Sequence, residues 1–371
     1  MLGAYLCLAD DEKIKEQLPR MMAIAEHYLD GYEDDGCCLE GYSYWSYGFS
    51  YFAIFAKLLY EYTDGEINYF ANEKVHKIAM FQQNVLVNEH QCISFSDSSL
   101  EFRPEIWVSH FLKSVYPDML LPKLPDELPP QYAINHLRTI FWTNPDMNKS
   151  EIKPVSHIFH NAEWFLYHGS GYSVAAKAGH NNEFHNHNDV GSFIISKNGN
   201  VTFCDPGVGE YTADYYSPRR YNIFLPSARA HSVPIINGEY QVSGKRDGGV
   251  IIEEEKRFKF YMHNGYTVES LKQATRDVEC LNDGVRITDE FEFSDDPVSL
   301  TERFVSLLPI EERDGTLICG DSILRYDAEM FDCALGFDIA DRKGGKKEQV
   351  YYADLTAKKL QKNMKVVFSI N

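Results

Sequence analysis

Several features that would place this chain in a specialised class are missing from its sequence. No apolar run reaches the roughly 18 residues of a membrane-spanning helix, and no Lys or Arg precedes the short apolar run at the N-terminus, as one would in a signal peptide. The eight cysteines have no regular spacing and form no Cys-x-x-Cys motif, so we expect packed, reduced thiols. A cytoplasmic protein is the expectation, or a periplasmic or secreted one if the N-terminus is truncated.

Positive charge is also scarce. Lys and Arg number 36 against 55 Asp and Glu, which gives a formal net charge of −19. A field of this sign opposes binding to nucleic acid and to anionic membranes, so we expect neither as a partner. An acidic polysaccharide would need a local basic patch. The 371 residues suffice for more than one buried core, and we expect a soluble multidomain protein whose oligomeric state the sequence leaves open.

The spacing of the apolar residues changes once along the chain and divides it. From Ile14 to Tyr116 they recur at helical spacing, which predicts helices packed as hairpins. A connector is predicted next, because prolines interrupt it at Pro122, Pro125, Pro129, Pro130 and Pro145. We therefore predict a helical domain over residues 1–120, a proline-rich connector over 121–153 and a β domain over 154–371.

The β domain is predicted from apolar and polar alternation that turn residues break about every ten residues. Asn198-Gly199 predicts a two-residue hairpin turn, and Asn237-Gly238, Asp247-Gly248 and Asp314-Gly315 predict further turns. An antiparallel β-sandwich is the economical arrangement. The Lys-rich stretch over 342–365 is predicted to be a solvated strand face or loop. The predicted strands cover residues 191–196, 201–204, 250–254, 257–262, 267–271, 285–293, 299–307 and 365–370.

One segment, residues 178–231, concentrates the chemistry. It contains His185, His187, Asp189, Asp205 and His231 among Gly, Asn and short apolar strands. Imidazoles and carboxylates are metal ligands, and an imidazole outside the ligand set could serve catalysis. The segment predicts a metal site with a catalytic histidine beside it, or a buried polar network of the same residues.

Two stretches carry a resemblance to a known family. The specific one comprises residues 177–181, 185–193, 205–211 and 227–233, and the weaker one is Glu40-Gly41-Tyr42-Ser43-Tyr44-Trp45-Ser46-Tyr47-Gly48. Together with the order of helices before strands, they resemble the heparinase II/III-like polysaccharide lyases. The resemblance implies an α+β multidomain fold in which an incomplete (α/α) toroid, here truncated, precedes an antiparallel β-sandwich, with the substrate between them.

The resemblance also implies the chemistry, which is β-elimination at a uronic acid. Such an enzyme neutralises the C6 carboxylate, removes the C5 proton and protonates the departing O4. The C5 proton becomes removable near neutral pH only when positive or hydrogen-bonding groups stabilise the developing enolate-like charge. A tyrosine phenol can donate a proton and, as phenolate, is a strong base.

The family roles are carried over residue by residue. By resemblance, His185 contacts the substrate near its carboxylate, and Tyr44 is the catalytic acid and a candidate base. Tyr42 competes for that role because inspection does not fix the helix phase, and Glu40 is expected to orient the pair. The alternatives are aromatic core for the two tyrosines and a hydrogen-bonded loop histidine for His185.

For the metal, the resemblance assigns His187, Asp205 and His231 to a zinc ion that is structural rather than catalytic. If the predicted hairpin forms, Asp205 pairs near Ser192, and the loop of His187 must fold back over the sheet to reach it. Asp189 is therefore a rival ligand.

The segment also offers candidate contacts for an acidic sugar. Guanidinium and phenol groups between the second and third ligand positions would supply the local positive charge that the whole chain lacks. These candidates are Tyr215, Tyr216, Arg219, Arg220, Tyr221 and Arg229. Candidates nearer the first ligand, for sugar contacts or for support of the metal site, are His180, Asn181, Asn182 and Asn188.

One departure from the family bears on activity. The family neutralises the carboxylate with an Asn or His on an earlier helix, and that position would precede Met1, so we expect weak activity from this chain alone. Three functions stay open: a uronate-specific polysaccharide lyase, a noncatalytic carbohydrate-binding relative, and, with less support, a zinc-dependent hydrolase. The sequence leaves the polymer and its sulfation open.

Overall fold

The computed structural model describes residues 2–123, 133–144, 146–147, 151–244 and 248–371. The fold is α+β, with helices in the first part of the chain and antiparallel sheets in the second. It divides into a helical unit and a β unit. The helical unit comprises Met1–Cys38, Tyr42–Asn84 and Phe102–Lys153, and the β unit comprises Leu39–Gly41, Val85–Glu101 and Pro154–Asn371. Two short segments of the helical half of the sequence thus belong to the β unit, which the predicted boundaries did not anticipate.

Six α-helices lie within the described residues of the helical unit. None of them combines the length and the apolar character that a membrane crossing requires. The helices are α1 (Leu2–Leu8), α2 (Asp11–Leu29), α3 (Tyr42–Tyr62), α4 (Glu73–Asn84), α5 (Ile106–Val115) and α6 (Ala133–Trp142).

Two of these helices fall where we predicted none. Helix α1 precedes the predicted helical stretch, and α6 lies inside the predicted connector. Helix α6 fits there because its ten residues lie between the prolines and contain none themselves. Pro125, Pro129, Pro130 and Pro145, which supported the connector prediction, lie outside the described residues.

Helix α3 buries an aromatic stripe in the helical unit. Tyr42, Trp45 and Phe49 are all buried, at the spacing that places side chains on one helical face. The ring centroids of Tyr42 and Trp45 lie 5.5 Å apart, and those of Trp45 and Phe49 lie 5.7 Å apart. The Trp45 indole donates a hydrogen bond to the carbonyl of Ile78 at 2.6 Å. Tyr44 lies off this stripe and is half-buried.

The described strands of the β unit form three antiparallel sheets. Their orders are β1-β2-β3-β4-β5, β12-β13-β14-β17-β10-β9-β8-β7 and β15-β16-β11-β6. The strands are β1 (His157–Phe159), β2 (Trp164–His168), β3 (Tyr172–Lys177), β4 (Phe193–Lys197), β5 (Asn200–Phe203), β6 (Ile235–Ile236), β7 (Val250–Glu254), β8 (Arg257–Tyr261), β9 (Leu271–Cys280), β10 (Val285–Phe293), β11 (Leu300–Ser306), β12 (Ile310–Glu312), β13 (Thr316–Cys319), β14 (Ser322–Arg325), β15 (Phe331–Arg342), β16 (Lys346–Ala357) and β17 (Asn363–Ile370).

One hydrophobic core joins the three sheets. Every second residue of β10 is buried, so this strand presents one face to the core. The Phe165 ring of the first sheet stacks on Phe258 of the second, with centroids 5.3 Å apart. Phe304 of the third sheet meets Phe368 of the second at 4.9 Å. Burying each such side chain contributes about 1.5–3 kcal/mol, so these contacts fix the sheets that carry the site.

The predicted Asn198-Gly199 turn is confirmed. Both residues have positive φ, 50° and 82°, and they connect β4 to β5. As expected from this hairpin, Asp205 lies beside Ser192, whose hydroxyl donates to the Asp205 carboxylate at 3.2 Å.

Other strand predictions need correction. The strand predicted over 267–271 begins only at Leu271, because exposed Lys272 and Gln273 mask the alternation at its start. Strands β1 to β3 were not predicted at all. The Lys-rich stretch, by contrast, agrees with its prediction, because it forms β16 and the turns beside it and its lysines are exposed. Asp247, one of the predicted turn residues, lies outside the described residues.

Candidate active site and metal-binding cluster

A serine-rich loop, residues 94–98, enters the β unit beside the loop that follows β5. The Ser94 hydroxyl donates to the Asp205 carbonyl at 2.7 Å, and the Val208 amide donates to the Ser98 carbonyl at 3.0 Å. Gly207 has φ +68°, and a Cβ there would lie 2.2 Å from the Ser98 carbonyl oxygen. Only glycine permits this approach, which places Asp97 among the histidines.

Asp97 is the hub of the site. Its carboxylate meets Nδ1 of His185 at 2.6 Å and Nε2 of His187 at 3.0 Å, and it accepts from the Arg220 guanidinium at 3.1 Å and from the Tyr215 hydroxyl. Burial alone raises the pKa of this carboxyl, but the hydrogen bonds from the two histidines and the charge of Arg220 hold it well below its usual range. Asp97 is therefore ionised.

His185 and Glu40 form what we call the rim pair. The His185 side chain is 24% exposed, and its Nε2 lies 3.8 Å from the Glu40 carboxylate. Backbone φ at His185 is +55°, a conformation that non-glycine residues adopt rarely. It changes the direction of the backbone at this residue. Burial raises the pKa of Glu40. The pair is thus a reachable imidazole with a carboxylate beside it.

His187, Asp205 and His231 form what we call the closed cluster. One ligand atom from each lies within 4.8 Å of the other two, and all three side chains are completely buried. Nδ1 of His187 and Nε2 of His231 have no hydrogen-bond partner among the described residues. Buried polar atoms without a partner cost free energy, and an ion bound by these side chains would remove that cost. This donor set fits a metal ion.

The pKa values of the two histidines in the closed cluster shift in opposite directions. Burial lowers the pKa of His187. Burial also disfavours charge on His231, but the Asp205 carboxylate, 2.8 Å from its Nδ1, outweighs burial and raises the pKa of His231. The rival ligand Asp189 lies outside the cluster, because its carboxylate pairs with the buried Lys177 ammonium at 2.8 Å.

Several predicted sugar contacts are instead buried parts of the scaffold. The Asn181 amide bonds to Gln241 and to the Val242 carbonyl, and the Asn188 amide bonds to the Gln241 carbonyl. Tyr215 is 1% exposed. For Asn181 and Asn188, burial fits the alternative prediction of support for the metal site better than that of sugar contact.

The predicted basic patch is largely neutralised by partners within the chain. Exposed Arg219 pairs with Asp214, and Arg220 bonds to Asp97 and to the His185 carbonyl while lying over the Tyr215 ring at 4.1 Å. The remaining candidates are half-buried with local bonds: Tyr221 to Asn186, Arg229 to Ser227 and the Asn222 carbonyl, and His180 to the Asn182 amide. Tyr216 is 70% exposed.

The two candidate tyrosines differ within the helical unit. Tyr42 belongs to the aromatic stripe and also packs on Phe102 at 5.0 Å, whereas Tyr44 is half-buried. Tyr44 is thus the more exposed of the two.

Sequence reasoning missed Asp97 altogether. It stands 88 residues before His185, in a stretch that carries no motif of the family. The one available signal was an acidic residue inside a run of serines, Ser94-Phe95-Ser96-Asp97-Ser98-Ser99, since small polar residues allow close approach of another loop.

Comparison with known proteins finds a family match over the part of the chain that contains the three site histidines. The family profile described as "Heparinase II/III-like, C-terminal" matches residues 153–306. No curated protein matches the chain. Solved structures of similar fold include a heparinase III, with TM-score 0.73, 15% identity, and coverage of 100% of this chain and 59% of that one. Heparan sulfate lyase HepC from Pedobacter heparinus gives TM-score 0.67, 14% identity, and coverage of 100% and 58%.

A more distant likeness is to the chondroitin AC lyase of Streptomyces coelicolor A3, with TM-score 0.51, 8% identity, and coverage of 86% of this chain and 50% of that one. At these identities the likeness is one of fold. The chain spans 50 to 59% of the length of these structures. The recognition made from the sequence motifs is confirmed: the heparinase II/III-like C-terminal profile matches residues 153–306, and heparinase III and heparan sulfate lyase structures have a similar fold.

Proposed function

We propose that this chain is a polysaccharide lyase that cleaves a uronic-acid-containing polymer by β-elimination. The observation that carries the proposal is His185, an accessible imidazole held by a buried carboxylate at 2.6 Å with Glu40 beside it. It stands in the domain whose relatives of similar fold include lyases of heparan sulfate and chondroitin. A helical unit before a β unit also supports an incomplete (α/α) toroid followed by an antiparallel β-sandwich.

The proposed reaction needs one base, one acid and a group that stabilises negative charge. A base removes the proton at C5 of the uronate, the C4–C5 double bond forms as the C4–O4 bond breaks, and O4 leaves with the electron pair and takes a proton. With a proton on Nε2 as well as on Nδ1, His185 stabilises charge on the substrate carboxylate, and Glu40 orients it. Tyr44 in its phenolate form is the base that removes the C5 proton. As the phenol, it then delivers a proton to O4.

The closed cluster is proposed to hold a zinc ion through His187, Asp205 and His231, where its role is to pin the loop of the two histidines. Zinc has the nitrogen and oxygen preference that this donor set satisfies. Complete burial of all three side chains argues against a zinc hydrolase, because a substrate could not reach water bound there.

The substrate class is proposed from the relatives and from the remaining exposed groups. A glycosaminoglycan or another uronate polymer would contact the rim pair and, in addition, His180, Arg219, Tyr216 and Arg229. A noncatalytic carbohydrate-binding relative is the second candidate, and the in-chain partners of Arg219 and Arg220 favour it, since they leave little free positive charge for carboxylate neutralisation.

The test is a panel of heparan sulfate, chondroitin sulfate and alginate, followed by the ultraviolet absorbance of the new alkene. We expect a rise with at least one polymer. Tyr44→Phe should lower that rate by about 10² or more, whereas Tyr42→Phe and Tyr60→Phe, matched changes on the same helix, should keep it. Saturable polymer binding without any absorbance rise would reject the lyase and support the noncatalytic relative.

A further inference from the structure

The two oxygens of Asp97 receive different partners. Oδ2 lies 2.6 Å from Nδ1 of His185, whereas Oδ1 lies 3.0 Å from Nε2 of His187 and accepts from the Tyr215 hydroxyl. One Arg220 nitrogen lies 3.1 Å from both oxygens. An ionised carboxylate accepts hydrogen bonds and donates none, so each histidine must present a proton to it.

This requirement fixes which ring nitrogen is protonated in each histidine. His185 must carry a proton on Nδ1, which leaves Nε2 directed towards Glu40, 3.8 Å away. His187 must carry its proton on Nε2, which leaves a lone pair on Nδ1, the buried atom without a partner among the described residues. A neutral imidazole ligates a metal through such a lone pair, and its other nitrogen commonly donates to a carboxylate.

We propose that Asp97 is a positioning residue that sets the tautomers of His185 and His187 together, and so joins the rim pair and the closed cluster into one unit. The roles of the two histidines rest on the proposed function, but their tautomers do not. The inference can therefore fail or succeed without any measurement of lyase activity.

The asymmetry of the partners makes a sharp prediction for Asp97→Asn. The amide has one oxygen and one NH₂ group, so one of the two positions changes from acceptor to donor. Two donors besides Arg220, from His187 and Tyr215, converge on Oδ1, and only His185 does so on Oδ2. We expect the NH₂ group to face His185, whose proton then moves to Nε2, while His187 keeps its tautomer.

The experiment is nuclear magnetic resonance of the chain carrying histidine labelled at the ring nitrogens, with His185→Gln and His187→Gln used to assign the signals. The wild-type chain should show protonated Nδ1 at His185 and protonated Nε2 at His187. In Asp97→Asn, only the His185 pattern should invert. Zinc affinity, measured by competition with a chelator, should stay within about threefold in Asp97→Asn and fall about 10- to 100-fold in Asp97→Ala.

The matched control is Asp277→Asn, which changes a carboxylate that pairs with Arg257 on the neighbouring strand and should leave both tautomers and zinc affinity unchanged. The wild-type spectrum decides the question even if the Asp97 variants fail to fold, because the opposite tautomer at either histidine overturns the proposal. Inversion of His187 in Asp97→Asn would also overturn it. Absence of zinc binding by the wild-type chain would refute the link to the closed cluster.

Discussion

The rim pair and the closed cluster meet at one carboxylate but are built in opposite ways. His185 is partly exposed with a second carboxylate near it, whereas the closed cluster is completely buried with two ring nitrogens left without partners among the described residues. The two histidines at Asp97 stand only two positions apart. What separates them is the positive φ at His185, which turns one ring outwards while its neighbour enters the core. Backbone conformation, rather than residue type, distinguishes the two histidines.

The largest expected effect comes from breaking the closed cluster. His187→Ala removes one proposed metal ligand and one partner of the buried Asp97 carboxylate, so we expect a loss of about 3–5 kcal/mol in unfolding free energy and loss of bound metal. Urea unfolding and elemental analysis of the purified protein measure both. The control His160→Ala, which removes an exposed histidine paired with Glu253, should change neither. A His187→Ala protein that retains its full metal content would show that the cluster is a polar network only.

A substitution in the rim pair should change the activity rather than the stability of the protein. His185→Gln keeps an amide donor for Asp97 but loses the imidazole, so we expect the elimination rate to fall about 10²- to 10³-fold. The unfolding free energy should change by less than about 1 kcal/mol. Kinetics on a polymer that gives the alkene absorbance with the wild-type chain, with unfolding of the same preparation, separate the two. A variant that unfolds much more easily yet cleaves at the full rate would reverse the roles that we assign.

Metal removal tests the closed cluster without a mutation. Treatment with a strong chelator should lower the unfolding free energy of the wild-type chain by about 2–4 kcal/mol, because a ligand that binds only the folded state stabilises it. The melting temperature of His187→Ala should not respond to the chelator. Equal melting temperatures of the treated and untreated wild-type chain would contradict a metal in the cluster.

A pH effect is expected at the anchor of the loop that carries both histidines. The buried Lys177 ammonium pairs with Glu183 and Asp189, which stand on either side of His185 and His187. Burial raises the pKa of Glu183 from 4.5 to about 7. The folded chain thus holds this proton more tightly than the unfolded chain does, so the stability it contributes is complete below the unfolded pKa and declines as pH rises through the folded pKa.

The variant Glu183→Gln cannot titrate at this position. We expect it to remove a decline of about 1–3 kcal/mol between about pH 4.5 and pH 8. Urea unfolding of both proteins across this range measures the difference, and the exposed change Glu329→Gln is the control. Parallel stability curves for wild type and Glu183→Gln would refute the raised pKa.

The smallest expected effect is at the exposed Arg219. Its pair with Asp214 is on the surface, so Arg219→Ala should leave the melting temperature unchanged. If Arg219 contacts the polymer, KM should rise while kcat stays constant. A fall in kcat alone would mean that Arg219 acts on the reacting atoms, and would contradict its proposed role in polymer binding.

The sequence predicted those parts of the fold that have a strong local period. Helices α2 to α5, strand β10 and the Asn198-Gly199 hairpin were all predicted, because apolar spacing and turn residues act over a few positions. Strand β15 escaped notice because Leu335, Phe337 and Ile339 are exposed and its alternation does not report a buried face. Helix α6 was hidden by the prolines around it.

The residues of the candidate site could be predicted only where they belong to the family motif. His187, Asp205 and His231 do converge, as the motif implied. Asp97 was not predicted because its role arises from a loop that comes from a distant part of the chain and depends on the close approach at Gly207. The sequence could not decide between sugar contact and scaffold for Asn181 and Asn188, because burial is a property of the folded chain. The cytoplasmic location stays a prediction.

The mass balance of the cleavage products tests the central claim most directly. An oligosaccharide of defined mass, taken from a polymer that gives the alkene absorbance in the panel, is digested and its products are weighed by mass spectrometry. Elimination conserves atoms within the substrate, so the account predicts that the masses of the two products add up to the mass of the substrate and that one product carries the alkene. Products whose masses add up to the substrate plus one water would mean hydrolysis, and would contradict the assignment of this site to a lyase.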